Sequence, residues 1–247
     1  MRGLRQLTWT ALKLYLREPI AAFFTLAFPP MLVVLFGSMY GNDPVPMFGG
    51  RGTMDISMPA YTGLILGTIG LLNVPINTAS YREQGILRRY RATPMRPLTF
   101  ITAEVLTNLA MTVLGMVVLV TVGKLLYDVQ FEGQIVSLLA AIGLSGFAMF
   151  AFGYLIASLA PGARLAQVIG MVIFYPMMFL SGAGMPLEIL PESIRRISTY
   201  LPLTYVVRLL RGMWFGEPWQ EHWLEVAVLG GILIVCGALA ARFFRWE

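Results

Sequence analysis

Residues 81–97 read YREQGILRRYRATPMRP. This stretch carries five of the chain's arginines: Arg82, Arg88, Arg89, Arg91 and Arg96. The apolar runs on both sides of it are long enough to cross the hydrocarbon layer as helices, which takes about 20 residues. Because short loops rich in arginine and lysine are retained on the cytoplasmic side of a membrane, the stretch predicts a basic cytoplasmic segment between two transmembrane helices.

The composition agrees with a membrane location. The 247-residue chain is 57% hydrophobic and 13% charged, whereas soluble domains carry about 25% charged residues. Its mean hydropathy is +0.72, and its charges are confined to short stretches between apolar runs. These features predict an all-α membrane protein with a single transmembrane domain over residues 1–247. Six transmembrane helices are expected at about residues 19–40, 56–79, 98–123, 134–159, 165–184 and 223–241.

Two other regions predict amphipathic helices. In residues 1–18, basic and polar side chains fall on one helical face and leucines on the other, which is typical of an interfacial helix on anionic membrane lipid. A basic N-terminal tail without such a helix is the alternative. Residues 185–222 mix apolar faces with charges and are divided by Pro186, Pro191 and Pro202. They predict two short external helices, in re-entrant positions, before the last span.

The distribution of basic residues predicts the orientation. Residues 1–18, 80–97, 160–164 and 242–247 together hold twelve of the eighteen lysines and arginines. These four segments would all lie on one side of a six-span protein. The positive-inside rule places that side in the cytoplasm, so both termini are expected to be cytoplasmic.

The residue inventory argues against an enzyme. His222 and Cys236 are the single histidine and the single cysteine, so these residue types cannot assemble a transition-metal site. The 247 residues contain no Gly-x-Ser-x-Gly elbow and no Gly-x-x-x-x-Gly-Lys-Ser/Thr phosphate loop. The net charge of +5 lies in loops and forms no basic face with stacking aromatics, so no nucleic acid partner is expected. We expect no catalytic residues and no cofactor in this chain.

Three polar residues form a candidate site within the spans: Glu104, Asn73 and Asn77. Asn73 and Asn77 flank Pro75, which predicts a kink whose freed carbonyl groups need partners. Glu104 lies near the cytoplasmic end of the third span. It either pairs with an arginine of residues 82–96 or faces a cavity, where it could serve an ion-coupled carrier.

Two short motifs resemble a known family. Glu83-Gln84-Gly85, followed by Leu87-Arg88 and by Ala92-Thr93-Pro94, resembles the pattern between the second and third spans of ABC transporter type-2 permeases. The segment from Pro202 to Tyr205, which reads PLTY and is followed by Arg211, is similar to the segment before the last span of that family. The resemblance covers the whole chain, and daunorubicin-type drug-resistance exporters are the subgroup it resembles most.

The resemblance implies partners and a mechanism. Two permease copies, as a homodimer or a heterodimer, would pair with separate ATP-binding subunits, which would bind ATP and Mg²⁺. Residues 83–93 would form a coupling helix in a cleft of the ATP-binding subunit. The residues that would carry this contact are Glu83, Gly85, Leu87, Arg88, Arg89, Arg91, Thr93 and Pro94. The alternative is a basic topological anchor without a partner.

The function that the resemblance implies is export of a hydrophobic or amphipathic compound, such as a drug or lipid, across a bacterial or archaeal plasma membrane. Two alternatives remain at this stage. One is a membrane assembly or sensor subunit that does not transport. The other is an ion-coupled carrier that uses Glu104.

Overall fold

A computed structural model describes residues 2–86 and 97–243, and this part of the chain is almost entirely helical. Its helices are α1 (Arg2–Arg17), α2 (Pro19–Tyr40), α3 (Thr53–Glu83), α4 (Pro97–Tyr127), α5 (Ile135–Leu159), α6 (Ala163–Leu180), α7 (Glu192–Ser198), α8 (Pro202–Trp214) and α9 (Trp223–Phe243). Single 3₁₀ turns cover Pro46–Phe48, Leu187–Ile189 and Trp219–His222. Two short strands, β1 (Pro44–Val45) and β2 (Arg51–Gly52), pair antiparallel, with Pro44 opposite Gly52.

Six of these helices are long and apolar enough to cross a membrane: α2, α3, α4, α5, α6 and α9. The predicted all-α membrane protein with six spans is therefore confirmed. The second span extends beyond the expected 56–79, because the polar residues at its ends continue the helix from Thr53 to Glu83. The fifth span ends at Leu180 rather than near 184, because Gly182 adopts a left-handed conformation with φ of +90°.

Helix α3 lies at the centre of the bundle. In the most apolar 18-residue stretch of α3, 83% of the residues are buried, whereas in the corresponding stretch of α9 the share is 17%. Gly63 and Gly67 of α3 face Val207 and Leu203 of α8, so the small residues on this face allow close packing between the two helices. Helix α9 packs mainly on α5 and leaves most of its apolar surface exposed.

Prolines alter the regular winding of α2 and α3. In α3 the turn Ile69–Asn73 is a π-turn, in which the N–H of Val74 donates to the carbonyl of Ile69. The next residue, Pro75, has no N–H, so the carbonyl oxygen of Leu71 lacks its α-helical donor. Helix α2 has a π-turn at Phe23–Ala27, shortly before Pro29 and Pro30.

The freed carbonyl groups of α3 lie against glycines of two neighbouring helices. The oxygen of Gly70 faces Gly153 of α5, and the oxygen of Leu71 faces Gly170 of α6. A Cβ atom at either glycine would overlap the carbonyl oxygen. The contacts therefore require glycine, and their geometry suits weak Cα–H···O bonds. The predicted disturbance near Pro75 thus joins α3 to α5 and α6.

Successive spans run in alternating directions, so the bundle has two ends. At one end, which we call the Arg82 end, the last turn of α3 meets the connection between α5 and α6. At the other, the Asn42 end, the α2–α3 connection meets the α4–α5 connection and the last turn of α8.

Candidate functional site

The last turns of α3 rest on the turn between α5 and α6, residues 160–162, which we call the α5–α6 turn. Ala79 of α3 is fully buried against Ala160 and Ala166, with Ala163 packed beside them. Methyl groups at these positions allow the helices to approach closely. The end of α3 is therefore held on a small apolar platform before the chain enters residues 84–97.

Arg82 binds the C-terminal end of α5. Its Nη1 donates to the carbonyl of Ala157 at 3.2 Å, and its Nη2 donates to the carbonyl of Ala160. The last carbonyl groups of a helix have no partner within that helix, and a positive charge there is favourable. The half-buried guanidinium of Arg82 thus supplies both the hydrogen bonds and the charge that this helix end lacks.

Glu83 binds the start of α6. Its Oε1 accepts a hydrogen bond from the N–H of Ala163, the first residue of that helix, at 3.1 Å. A carboxylate is favourable there because the first N–H groups of a helix are unpaired and carry partial positive charge. Two neighbouring residues of opposite charge therefore bind two helix ends of opposite polarity.

Gly85 ends this region of α3. It adopts a left-handed conformation with φ of +67°, and its N–H donates to the carbonyl of Arg82 at 3.0 Å. A residue with a side chain would be strained there, so the glycine turns the chain out of the helix two residues after Glu83. The other predicted coupling residues lie outside the described ranges: Leu87, Arg88, Arg89, Arg91, Thr93 and Pro94.

The polar residues predicted within the spans belong to two different hydrogen-bonded groups. Glu104 of α4 accepts a hydrogen bond from the hydroxyl of Tyr154 of α5 at 3.1 Å. Arg82, one candidate for its ion pair, binds the end of α5 instead, and the other arginines of the predicted cluster lie outside the described residues. Tyr154 was not identified from the sequence, although a phenol within an apolar run normally needs a hydrogen-bond partner.

The second group joins the N-terminal helix to the first two spans. The amide of Asn73 donates to the hydroxyl of Tyr15 at 2.6 Å, and that hydroxyl lies 2.7 Å from Thr25 Oγ1. Thr25 and Asn73 belong to the π-turns of α2 and α3. Burial raises the pKa of Tyr15 to about 12. Asn77 is half-buried one turn beyond Asn73.

An apolar cavity of about 370 Å³ lies between α4, α5 and α9. Tyr154 forms part of its wall, and the rest is apolar, including Ile101, Val105, Phe147, Phe150, Leu233 and Ala240. Such a lining suits a hydrocarbon chain or a hydrophobic ring. Among the described residues, no group of three histidine, cysteine, aspartate or glutamate side chains is arranged to hold a metal ion.

Comparison with known proteins gives a family match over most of the chain. Residues 2–215 match the family model described as ABC-2 type transporter. The chain is 24% identical to the inner membrane transport permease YhhJ of Escherichia coli over 196 residues, which are 74% of this chain and 52% of that protein.

Two other relatives carry more specific names. The chain is 31% identical to nodulation protein J of Rhizobium leguminosarum over 107 residues, which are 43% of this chain and 41% of the relative. It is 21% identical to the E. coli protein named "Probable multidrug ABC transporter permease YbhR", over 73% of this chain and 50% of the relative. The matches thus span about half the length of these curated relatives, or less.

Proposed function

The chain belongs to the ABC-2 type transporter family, and we propose that it is the permease of an ATP-driven exporter. Family membership makes it a multi-pass transmembrane subunit of an ABC transporter. The proposal adds the direction of transport, the site of energy input and the class of substrate.

In the proposed mechanism, a separate ATP-binding subunit holds ATP and Mg²⁺ and docks on residues 81–97. The observation that carries this proposal is the attachment of Arg82 to the end of α5 and of Glu83 to the start of α6. A partner that displaces a segment moves the spans only if the segment is fixed to them. Residues 81–83 provide such a fixed base, and the arginine-rich sequence that follows suits charge-assisted contacts with an acidic cleft.

The proposed orientation puts the Arg82 end in the cytoplasm of a bacterium or archaeon, with both chain termini on that side. The ends of α3 and α5, the start of α6 and the last turn of α9 meet there, since Ser158 Oγ lies 3.4 Å from the carbonyl oxygen of Ala240. These ends adjoin the segments that hold most of the basic residues. This arrangement supports the orientation that the positive-inside rule predicts.

The proposed substrate is a hydrophobic or amphipathic compound. The apolar cavity between α4, α5 and α9 and the multidrug wording in the name of YbhR support this class. A second permease copy, identical or similar, would complete the translocation pathway. The exposed apolar faces of α6 and α9 leave room for that copy and for membrane lipid.

Reconstitution tests the proposal. The chain would be co-purified with ABC-class ATP-binding subunits from the same genome, and the complex would be placed in proteoliposomes containing daunorubicin. We expect ATP-dependent movement of the drug, and we expect Arg88→Glu to abolish docking because it reverses the charge of the predicted contact. Arg196→Glu, a charge reversal at an exposed position in α7, is the matched control. Failure of every ATP-binding subunit to associate with an intact chain would contradict the proposal.

The hydrogen bond between Tyr154 and Glu104 supports a second candidate function, that of an ion-coupled carrier. A carboxyl group paired within the spans is a common element of proton relays. That function predicts transport driven by an ion gradient without ATP, and loss of this transport in Glu104→Gln. Transport that requires ATP and survives Glu104→Gln would exclude it.

A further inference from the structure

Arg82 and Glu83 occupy a special position in the proposed transporter. They are the last two residues of α3, and Gly85 turns the chain out of the helix immediately afterwards. Force applied to residues 86–97 therefore reaches α3 through these two residues, while the other end of the segment continues into α4 at Pro97. Both side chains bind within the chain, one at the end of α5 and the other at the start of α6.

We infer that Arg82 and Glu83 are positioning residues that transmit displacement of the coupling segment to α5 and α6. This inference rests on the proposed function, because it assumes that an ATP-binding subunit moves residues 81–97. It changes the role that the sequence predicts for Glu83. The carboxylate acts on the start of α6 in its own chain, and docking of the partner depends on the arginines farther along.

The polarity of the contacts makes them suitable for passing a displacement of α3 to α5 and α6. The guanidinium of Arg82 holds carbonyl groups, and the carboxylate of Glu83 holds an N–H group, so both helix ends are bound by charge-assisted hydrogen bonds. The buried alanines beneath them, Ala79, Ala160 and Ala166, pack α3 directly against the turn. A shift of the last turn of α3 must therefore move the turn or break these bonds.

Helix α6 is suited to respond. In its most apolar 18-residue stretch 22% of the residues are buried, so most of its surface is not fixed by contacts within this chain. It is held at Gly170 by the close approach to the carbonyl oxygen of Leu71 in the π-turn of α3. A displacement applied by Glu83 at Ala163 would therefore turn α6 about this second contact, two helical turns away.

Gly162, which lies against the carboxylate of Glu83, allows a test that leaves the sequence of the docking segment unchanged. A Cβ atom at Gly162 would overlap Glu83 Oε1. Gly162→Ala therefore displaces the carboxylate from Ala163 N without changing the sequence of residues 81–97. The overlapping atom is the end of a flexible side chain, so the substitution leaves the helices in place. Gly162→Ser has the same Cβ and adds a favoured residue for the start of a helix, which protects the fold of α6.

The experiment measures ATP hydrolysis, drug transport and affinity for the ATP-binding subunit in proteoliposomes. For Gly162→Ala and Gly162→Ser we expect drug molecules moved per ATP to fall about two- to fivefold, as for loss of a charge at an exposed helix N-terminus, with unchanged affinity for the subunit. Adding Glu83→Ala should cause no further loss, because it removes the same bond. Gly143→Ala, where nothing lies within 4 Å of the new Cβ, is the matched control and should transport normally.

The outcomes separate the inference from the function on which it rests. Normal coupling in both Gly162 variants, together with uncoupling in Glu83→Ala, would overturn the inference and assign the carboxylate to the partner interface. Reduced affinity for the subunit in the Gly162 variants would overturn it as well. If the wild-type chain binds no ATP-binding subunit, the proposed function itself is wrong, and the positioning role is rejected with it.

Discussion

At the Asn42 end of the bundle, several connections bind one another through many side chains, whereas at the Arg82 end the described charged contacts between α3 and the ends of α5 and α6 come from two neighbouring residues. Asn42 illustrates the first arrangement. Its amide nitrogen donates to the carbonyl of Tyr127 and to Asp55, at 3.1 and 3.3 Å, and its Oδ1 accepts from the N–H groups of Met54 and Asp55. One side chain thus fixes the end of α4 to the start of α3.

Trp214 and Arg51 extend this network to α8. The indole N–H of Trp214 donates to the carbonyl of Gln130 at 3.1 Å, and its ring packs edge-on against Phe131. Arg51 lies 3.6 Å from a carboxylate oxygen of Glu132, with its guanidinium 3.5 Å from the centre of the Phe215 ring. The α2–α3 and α4–α5 connections are thereby joined to the last turn of α8.

The difference indicates a division of roles. A network with many shared partners resists local change, because moving one element breaks several bonds at once. The three hydrogen bonds that Arg82 and Glu83 make to the ends of α5 and α6 can break and re-form during a transport cycle. We therefore expect the Asn42 end to act as the fixed part of the bundle and the Arg82 end as the part that moves. Substitutions should reduce stability at the former and coupling at the latter.

The largest effect is expected from Trp214→Ala. The side chain is 1% exposed, and removal of a buried tryptophan destabilises a protein by about 3–5 kcal/mol. The free energy of unfolding would be measured by denaturant titration in lipid nanodiscs. Trp223→Ala is the matched control, because that side chain is 68% exposed. Equal losses in the two variants would show that Trp214 does not hold the Asn42 end together.

Asp55→Ala should have the next largest effect. The carboxylate accepts from the N–H of Gln130 at 2.8 Å, and from Gly52 N and Asn42 Nδ2 at 3.3 Å each. Leaving these donors without an acceptor should reduce the free energy of unfolding by about 2–3 kcal/mol. Asp43→Ala, at an exposed position of the same connection, should change it by less than about 0.5 kcal/mol. A small effect in Asp55→Ala would show that this carboxylate is not the central acceptor of the network.

The two ends also differ in how far the sequence predicts them. Apolar length and the positions of charges predict all six spans, because a membrane helix must satisfy its own backbone in the hydrocarbon layer. The Asn42 network could not be predicted, since its partners come from three segments that lie far apart in the sequence. Asn42 reaches Tyr127 across 85 positions, and no local pattern specifies such a pairing.

The Arg82 end was predicted in part. The motif around Glu83 and Gly85 identifies the segment, and the glycine indicates a sharp turn. The partners of Arg82 and Glu83 lie about 80 positions away in the chain, so only the packing of α3 against α5 and α6 reveals them. The π-turn at Ile69–Asn73 was likewise predicted only as a kink, because its glycine partners belong to other helices.

Tyr15→Phe tests the hydrogen bonds that join the N-terminal helix to the first two spans. The hydroxyl of Tyr15 joins α1 to the π-turns through Thr25 and Asn73. Its removal leaves a buried hydroxyl and an amide without this partner, which should reduce the free energy of unfolding by about 1–2 kcal/mol. Tyr200→Phe is the control, because Tyr200 is 86% exposed. If Tyr15→Phe is as stable as the control, the N-terminal helix is not anchored through this hydroxyl.

The smallest change in stability is expected from Glu83→Ala. The carboxylate is exposed, and a charge at an exposed helix N-terminus contributes about 0.3–1 kcal/mol. Arg82 and the buried alanines still hold the α5–α6 turn in this variant, so the fold should remain intact while transport per ATP falls. Glu192→Ala, which removes one partner of an exposed ion pair with Arg196, should alter neither quantity. If Glu83→Ala lowered the free energy of unfolding as much as Asp55→Ala, the Arg82 end would be as firmly fixed as the Asn42 end. The bundle would then need another moving part, because a contact that essential to the fold could not open in every transport cycle.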